Sequence, residues 1–133
     1  MDFSSLVLME RNKETNQFVK ELGSYEVNDG ARYITKMYYD GEQVNVFFDI
    51  KKDVEEWEYT AIFDLFNEEE FLSNDFVIEQ IDDEYNPTWK VKFNYDEEHE
   101  VVQDKLNELC SIIDEEMYNV FEAIKGKESE YSE

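Results

Sequence analysis

The one stretch in which catalytic or metal chemistry could be assembled is Asp96-Glu97-Glu98-His99-Glu100, which brings four carboxylates to the only histidine of the 133-residue chain. Asp96 and His99 stand three apart, the spacing of a carboxylate-x-x-His pair on one helical face, and are the candidate metal ligands. A dinuclear site needs a second such pair, and the chain has no second histidine. The simpler reading is electrostatic: acids in the first turn of a helix favour its positive end, and His99 is an exposed polar residue. A carboxylate-rich metal-dependent enzyme is therefore the alternative, and no cofactor is expected. Cys110 and His99 would be a thiol–imidazole pair only if they could meet. Eleven residues apart on one helix, they are separated by about 16 Å. Cys110 instead reads as a packed core thiol, and a single cysteine excludes an intrachain disulfide. Asp82-Asp83-Glu84-Tyr85-Asn86 has calcium-ligand chemistry but lacks the EF-hand spacing and glycine, so a polar hairpin loop is expected. No glycine-rich phosphate loop and no Gly-x-Ser-x-Gly elbow is present.

Charge is the more informative chemistry. The net charge is −23, and it is lopsided: residues 1–52 hold nine acids and seven bases, whereas residues 53–133 hold 26 acids and five bases. Such a surface repels nucleic acid and anionic membrane and attracts basic partners. Part of the acidity lies where a helix does not want it. Glu97, Glu100, Asp104, Glu108, Glu115 and Glu122 fall in a row on one predicted helical face, where like charges four apart are mildly unfavourable, and Tyr118 stands among them. Glu100, Asp104, Glu108, Glu115 and Tyr118 are the candidate partner-binding strip, with Tyr118 as an aromatic anchor. One row gives a carboxylate about every 6 Å at best, too sparse to imitate the phosphates of a DNA strand at about 3.4 Å. A non-enzymatic protein that docks a basic protein surface, as immunity proteins, inhibitors and chaperones do, is the leading expectation. A housekeeping domain whose acidity only keeps it in solution is the third reading.

The elements that must position these residues follow from hydrophobic period and turn chemistry. Ser4 to Glu10 and Gln17 to Val27 read as a hairpin with a bulge or bend at Gly23 in the second strand. Arg32 to Tyr39 and Glu42 to Ile50 read as a second hairpin about Asp40-Gly41. A two-residue loop there would set Met37 opposite Val44, Thr35 opposite Val46 and Tyr33 opposite Phe48 on the core face. Ile34 and Phe47 would then share the outer face. Residues 56–66 fit either period; the aromatic content favours a strand with Trp57, Tyr59, Ala61, Phe63 and Leu65 on one face. Asn67 is placed to cap a short helix ending at Ser73, with a capping box from Glu70 and a Phe66–Phe71 staple. Phe76 to Ile81 and Trp89 to Tyr95 form the last hairpin, the second strand alternating without error. A long helix over 97–125, stopped by Gly126, carries Val102, Leu106, Leu109, Ile113, Met117, Val120 and Ile124 on one stripe.

The expected fold is α+β: a curved antiparallel sheet of six or seven strands, one short helix, and a long C-terminal amphipathic helix packed on the sheet. Residues 1–126 form a single domain and 127–133 a disordered polar tail. The order of elements resembles that of small acidic secretion chaperones, a likeness of fold alone. Leu6-Val7-Leu8-Met9 is too short for a signal-peptide core, so the cytoplasm is the expected compartment. The Lys-, Asn- and Ile-rich, Ala- and Arg-poor composition fits an A/T-rich bacterial or viral genome.

Overall fold

A computed structural model describes residues 4–12, 14, 15 and 17–131. The chain forms strands β1 (Ser4–Arg11), β2 (Phe18–Val27), β3 (Ile34–Tyr39), β4 (Gln43–Asp49), β5 (Val77–Ile81) and β6 (Thr88–Asn94). Its helices are α1 (Glu56–Leu65), α2 (Glu69–Ser73), α3 (His99–Ala123) and α4 (Glu128–Tyr131). The strands make one sheet in the order β2-β1-β3-β4-β6-β5. α+β is therefore the class, with six strands and a long C-terminal helix.

The sheet is mixed rather than wholly antiparallel. β1 and β3 run parallel and pair through Glu10 and Tyr39. The reason is the path after the first hairpin. β2 lies on the outside of β1, and a 3-10 turn over Asp29–Tyr33 carries the chain across to the other side of β1. A strand that reverses β2 and lands beside β1 must run parallel to it. The expected bulge is present: the β1–β2 register shifts between Leu8, opposite Gly23, and Met9, opposite Glu21.

The β3–β4 hairpin turns later than a two-residue loop would. Asp40 Oδ1 accepts from the amides of Glu42 and Gln43, both at 2.9 Å, and Gly41 takes φ +96°. Tyr39 therefore pairs with Val44 and Met37 with Val46, and a bulge between Ile34 and Lys36 sets Ile34 opposite Phe48. That bulge swaps the neighbours relative to the expected register. Ile34 packs on the core, and Thr35 is exposed. Arg32 and Tyr33 belong to the 3-10 turn, not to the strand.

Residues 56–65 are a helix, which corrects the strand expected there. The helical signal sits just upstream, where Glu58 reaches back to the Glu55 amide at 2.9 Å, half of a capping box built from two glutamates. Ala61, Ile62 and Phe66 go into the core, while Trp57, Phe63 and Leu65 are half-buried against it. The 3.6-residue stripe thus prevails over the equally legible alternation, because the site asks for a layer above Trp89. Phe66 and Phe63 pack on Trp89 with ring centroids 4.3 and 5.2 Å away. Asn67 Oδ1 does bond the Glu69 amide at 3.0 Å. The helix it introduces begins at Glu69 and shows no box from Glu70, though Phe66 and Phe71 meet at 5.8 Å.

Trp89, Val91 and Phe93 of β6 and Leu106, Leu109 and Ile113 of α3 are all buried in one cluster. Against the expectation of a disordered tail, α4 docks on α1, Tyr131 packs on the core, and its hydroxyl hydrogen-bonds Asp64. Residues 132 and 133 of that tail lie outside the described residues.

α3 also closes the sheet at its β2 edge. His99 Nε2 donates to the Ser24 carbonyl at 2.7 Å, Gln103 accepts from the Glu26 amide at 3.0 Å, and Asn107 donates to the Glu26 carbonyl at 2.8 Å. Backbone groups that would otherwise offer themselves to another strand are thereby occupied. The 3-10 turn is clamped on the same helix. Asn28 donates to the Asn107 carbonyl at 3.1 Å, and Gly30 lies so close to α3 that a Cβ would stand 1.8 Å from the Cys110 carbonyl oxygen.

Candidate partner-binding face

α3 is a 25-residue helix with a core side and a solvent side. Val102, Leu106, Leu109, Ile113, Met117 and Val120 are buried, while Glu100, Asp104, Glu108, Glu115 and Tyr118 are exposed. The five expected strip residues therefore share one outward face, about 27 Å from Glu100 to Tyr118 at 1.5 Å per residue. The helix is held at its buried side, so the exposed side is presented rigidly.

The strip has two chemically distinct halves. In the N-terminal half, Val101, Asp104, Lys105 and Glu108 line a shallow depression of about 290 Å³. Lys105 is drawn inward: its Nζ donates to the Asn74 carbonyl at 3.0 Å and lies over the Phe76 ring at 4.8 Å, with Glu108 at 3.7 Å. The carboxylates stand out from it. In the C-terminal half, Glu115 and Tyr118 border a groove of about 640 Å³ that is also lined by Arg32, Lys52 and, just past the end of α3, Lys125. Arg32 pairs with Asp114 at 2.7 Å, and Lys52 covers the Phe121 ring at 4.3 Å. Arg32 and Lys52 come from distant parts of the chain, and helical periodicity gives no sign of them. The acidic field is thus concentrated at Glu100, Asp104 and Glu108, while Tyr118, with 67% of its surface exposed, stands in a groove of mixed charge.

The candidate metal ligands are each engaged by a backbone group. Asp96 precedes the helix and spends its Oδ1 on the Glu98 amide at 2.8 Å. His99 stacks on Tyr25 with centroids 4.6 Å apart and gives Nε2 to Ser24. Among the described residues, no group of three or more His, Cys, Asp or Glu is arranged to hold a metal ion. In the 82–86 loop, the carbonyls of Asp82 and Glu84 are taken by the Tyr59 hydroxyl at 3.2 and 3.1 Å. Cys110 is fully buried, and burial, with a smaller contribution from Asp114, pushes its thiol up to about 12.

One titratable group of α3 faces inward. Glu116 is buried, with Asn119 Nδ2 at 3.4 Å as its hydrogen-bond donor. Burial first, then the neighbouring Glu115 and Glu70, raise its carboxyl above the ordinary range. It stands three and four residues from Ile113, Ile112 and Val120, so helical spacing places it inside the apolar arc of α3.

The fold and this exposed helix define a small acidic α+β domain. The chain belongs to DUF6762, a family of unknown function whose model matches residues 1–132. No curated protein and no solved structure matches the chain. Among the described residues, no helix is long and apolar enough to cross a membrane.

Proposed function

We propose that this is a non-enzymatic cytoplasmic binding protein whose α3 face docks a basic protein surface. The observation that carries the reading is the exposure of Glu100, Asp104, Glu108, Glu115 and Tyr118 on one side of a helix whose other side is locked in the core. A preorganised face loses little freedom on binding, and a carboxylate row steers a cationic partner during approach. The engagement of both Asp96 and His99 by backbone groups weighs against the metal-enzyme reading.

The test is a pull-down from the source cell with wild type and with the Asp104→Lys/Glu108→Lys variant. Wild type recovers a protein with a basic patch, and recovery falls as salt rises, since exposed charges are screened over about 8 Å at physiological ionic strength. The variant folds at least as well, because it relieves like-charge repulsion along the helix, and it slows association more than it hastens dissociation. Unchanged binding by the variant would refute the strip as the docking face.

A further inference from the structure

The helices lie on one face of the sheet; among the described residues no helix covers the other. That open face reverses the character of the molecule. In a chain with 35 acids and 12 bases, it gathers Arg11 from β1, Lys36 from β3, and Lys90 and Lys92 from β6. The pairings Lys36–Phe47–Lys90 and Tyr38–Asn45–Lys92 across β3, β4 and β6 put these cations in two adjacent rows with two aromatic rings between them. Each ring has cations over it. Arg11 stands 4.3 Å from the Tyr38 centroid and 5.1 Å from that of Phe18, and Lys36 and Lys90 stand 4.8 and 5.4 Å from that of Phe47. Burial, then Lys92, lowers the Lys90 ammonium below its ordinary value, against the opposing pull of Glu79 and Asp40. Two polar atoms under the same face, Arg11 Nε and Asn45 Oδ1, are buried without a hydrogen-bond partner, and Asn45 is only 1% exposed.

We propose that this open face is a docking surface for a short carboxylate-rich segment of a partner protein. Three features select that occupant. The guanidinium and ammonium groups are propped on rings, which fixes them as an anion site and suits a carboxylate to the Arg11 fork. From β1 to β6 the cations span three strand spacings, about 14 Å, the reach of four or five extended residues. Beyond that span Glu79 of β5 stands opposite Lys90, and Asp40 also acts on Lys90, so a long polyanion would run onto like charge. A nucleic-acid strand would also need bare rings for its bases to stack on, and these rings already carry cations. The surface is separate from α3, so the protein presents an acidic face and a basic face on opposite sides of its core.

The test is an amide-shift titration of the full chain with the acetylated, amidated pentapeptide EEYEE and, in parallel, with an eight-nucleotide oligo(dT). The peptide moves the amides of Lys36, Tyr38, Phe47 and Lys90 in a saturable way. Its affinity falls about tenfold or more in Lys36→Gln/Lys90→Gln, in keeping with loss of two complementary charges. It is retained in Lys36→Arg/Lys90→Arg and in Lys105→Gln, which alters α3 instead. Absence of saturable shifts, shifts confined to other strands, an unchanged affinity in the glutamine variant, or tighter binding of oligo(dT) would each overturn the proposal.

Discussion

Gly30 is fixed by distance, not by backbone torsion. A methyl at this position would meet the Cys110 carbonyl at 1.8 Å, and that oxygen belongs to the backbone of a packed helix that cannot step aside. Gly30→Ala is expected to cost about 3 kcal/mol, the upper end of ordinary overpacking, read as a lowered denaturation midpoint with unchanged slope. The sequence marks Asn28-Asp29-Gly30 as a turn, and it is one; that the turn presses on α3 depends on residues 80 positions further along. Other residues divide in the same way. Glu100, Asp104, Glu108, Glu115 and Tyr118 were legible as an exposed row because helical period alone decides which side faces out. Gln103 and Asn107 were not, because their roles depend on what α3 lies against. Lys90 and Lys92 share the outer face of β6 by alternation alone, but Arg11 and Lys36 lie far from them in the chain, and only cross-strand pairing brings all four to one face.

At the scale of elements, the clearest segments were those in which one period fits and the other fails. β6 alternates strictly and is buried at Trp89, Val91 and Phe93; α3 has a stripe that only a helix can gather. Residues 56–65 satisfy both periods, and aromatic content pointed to the wrong one because the helix uses those rings to roof Trp89. The parallel β1–β3 contact was invisible for a different reason: hairpin signals report neighbours in sequence, not which side of a hairpin the next strand joins. The polar row of α3 along β2 makes a separable prediction. Gln103→Ala/Asn107→Ala removes the partners of the Glu26 amide and carbonyl. It should cost about 1–2 kcal/mol, since the exposed edge regains water in part. It should also raise concentration-dependent aggregation, measured by light scattering, more than an equally destabilising core variant such as Leu109→Val.

For the whole molecule, the acidity works against compactness. Folding draws together most of a net charge of −23, and salt should raise the melting temperature at neutral pH by screening that repulsion. Mild acid should act in the same direction. Burial raises the carboxyls of Glu68 and Glu116 in the folded chain, so the folded state holds their protons more tightly than the unfolded state. Stability therefore rises as pH falls through those raised values, and the gain is complete near the ordinary carboxylate range of about 4.3. Thermal melts from pH 7 to pH 5 should show an increasing midpoint, and Glu116→Gln should raise the pH 7 midpoint while flattening that rise. A midpoint that falls steadily from pH 7 to pH 5 would contradict both effects.

The edge cover on β2 has a consequence for how the chain is made. The first hairpin is complete once residue 27 has left the ribosome, but its cover begins only at His99. At about 5–20 residues per second, the intervening residues take roughly 4–15 s to emerge. Whenever the hairpin forms within that interval, it does so with Ser24 and Glu26 unoccupied. Neighbouring chains on one messenger carry the same bare strand at high local concentration, so synthesis itself, rather than the finished fold, is the stage at which this protein is most exposed to mispairing.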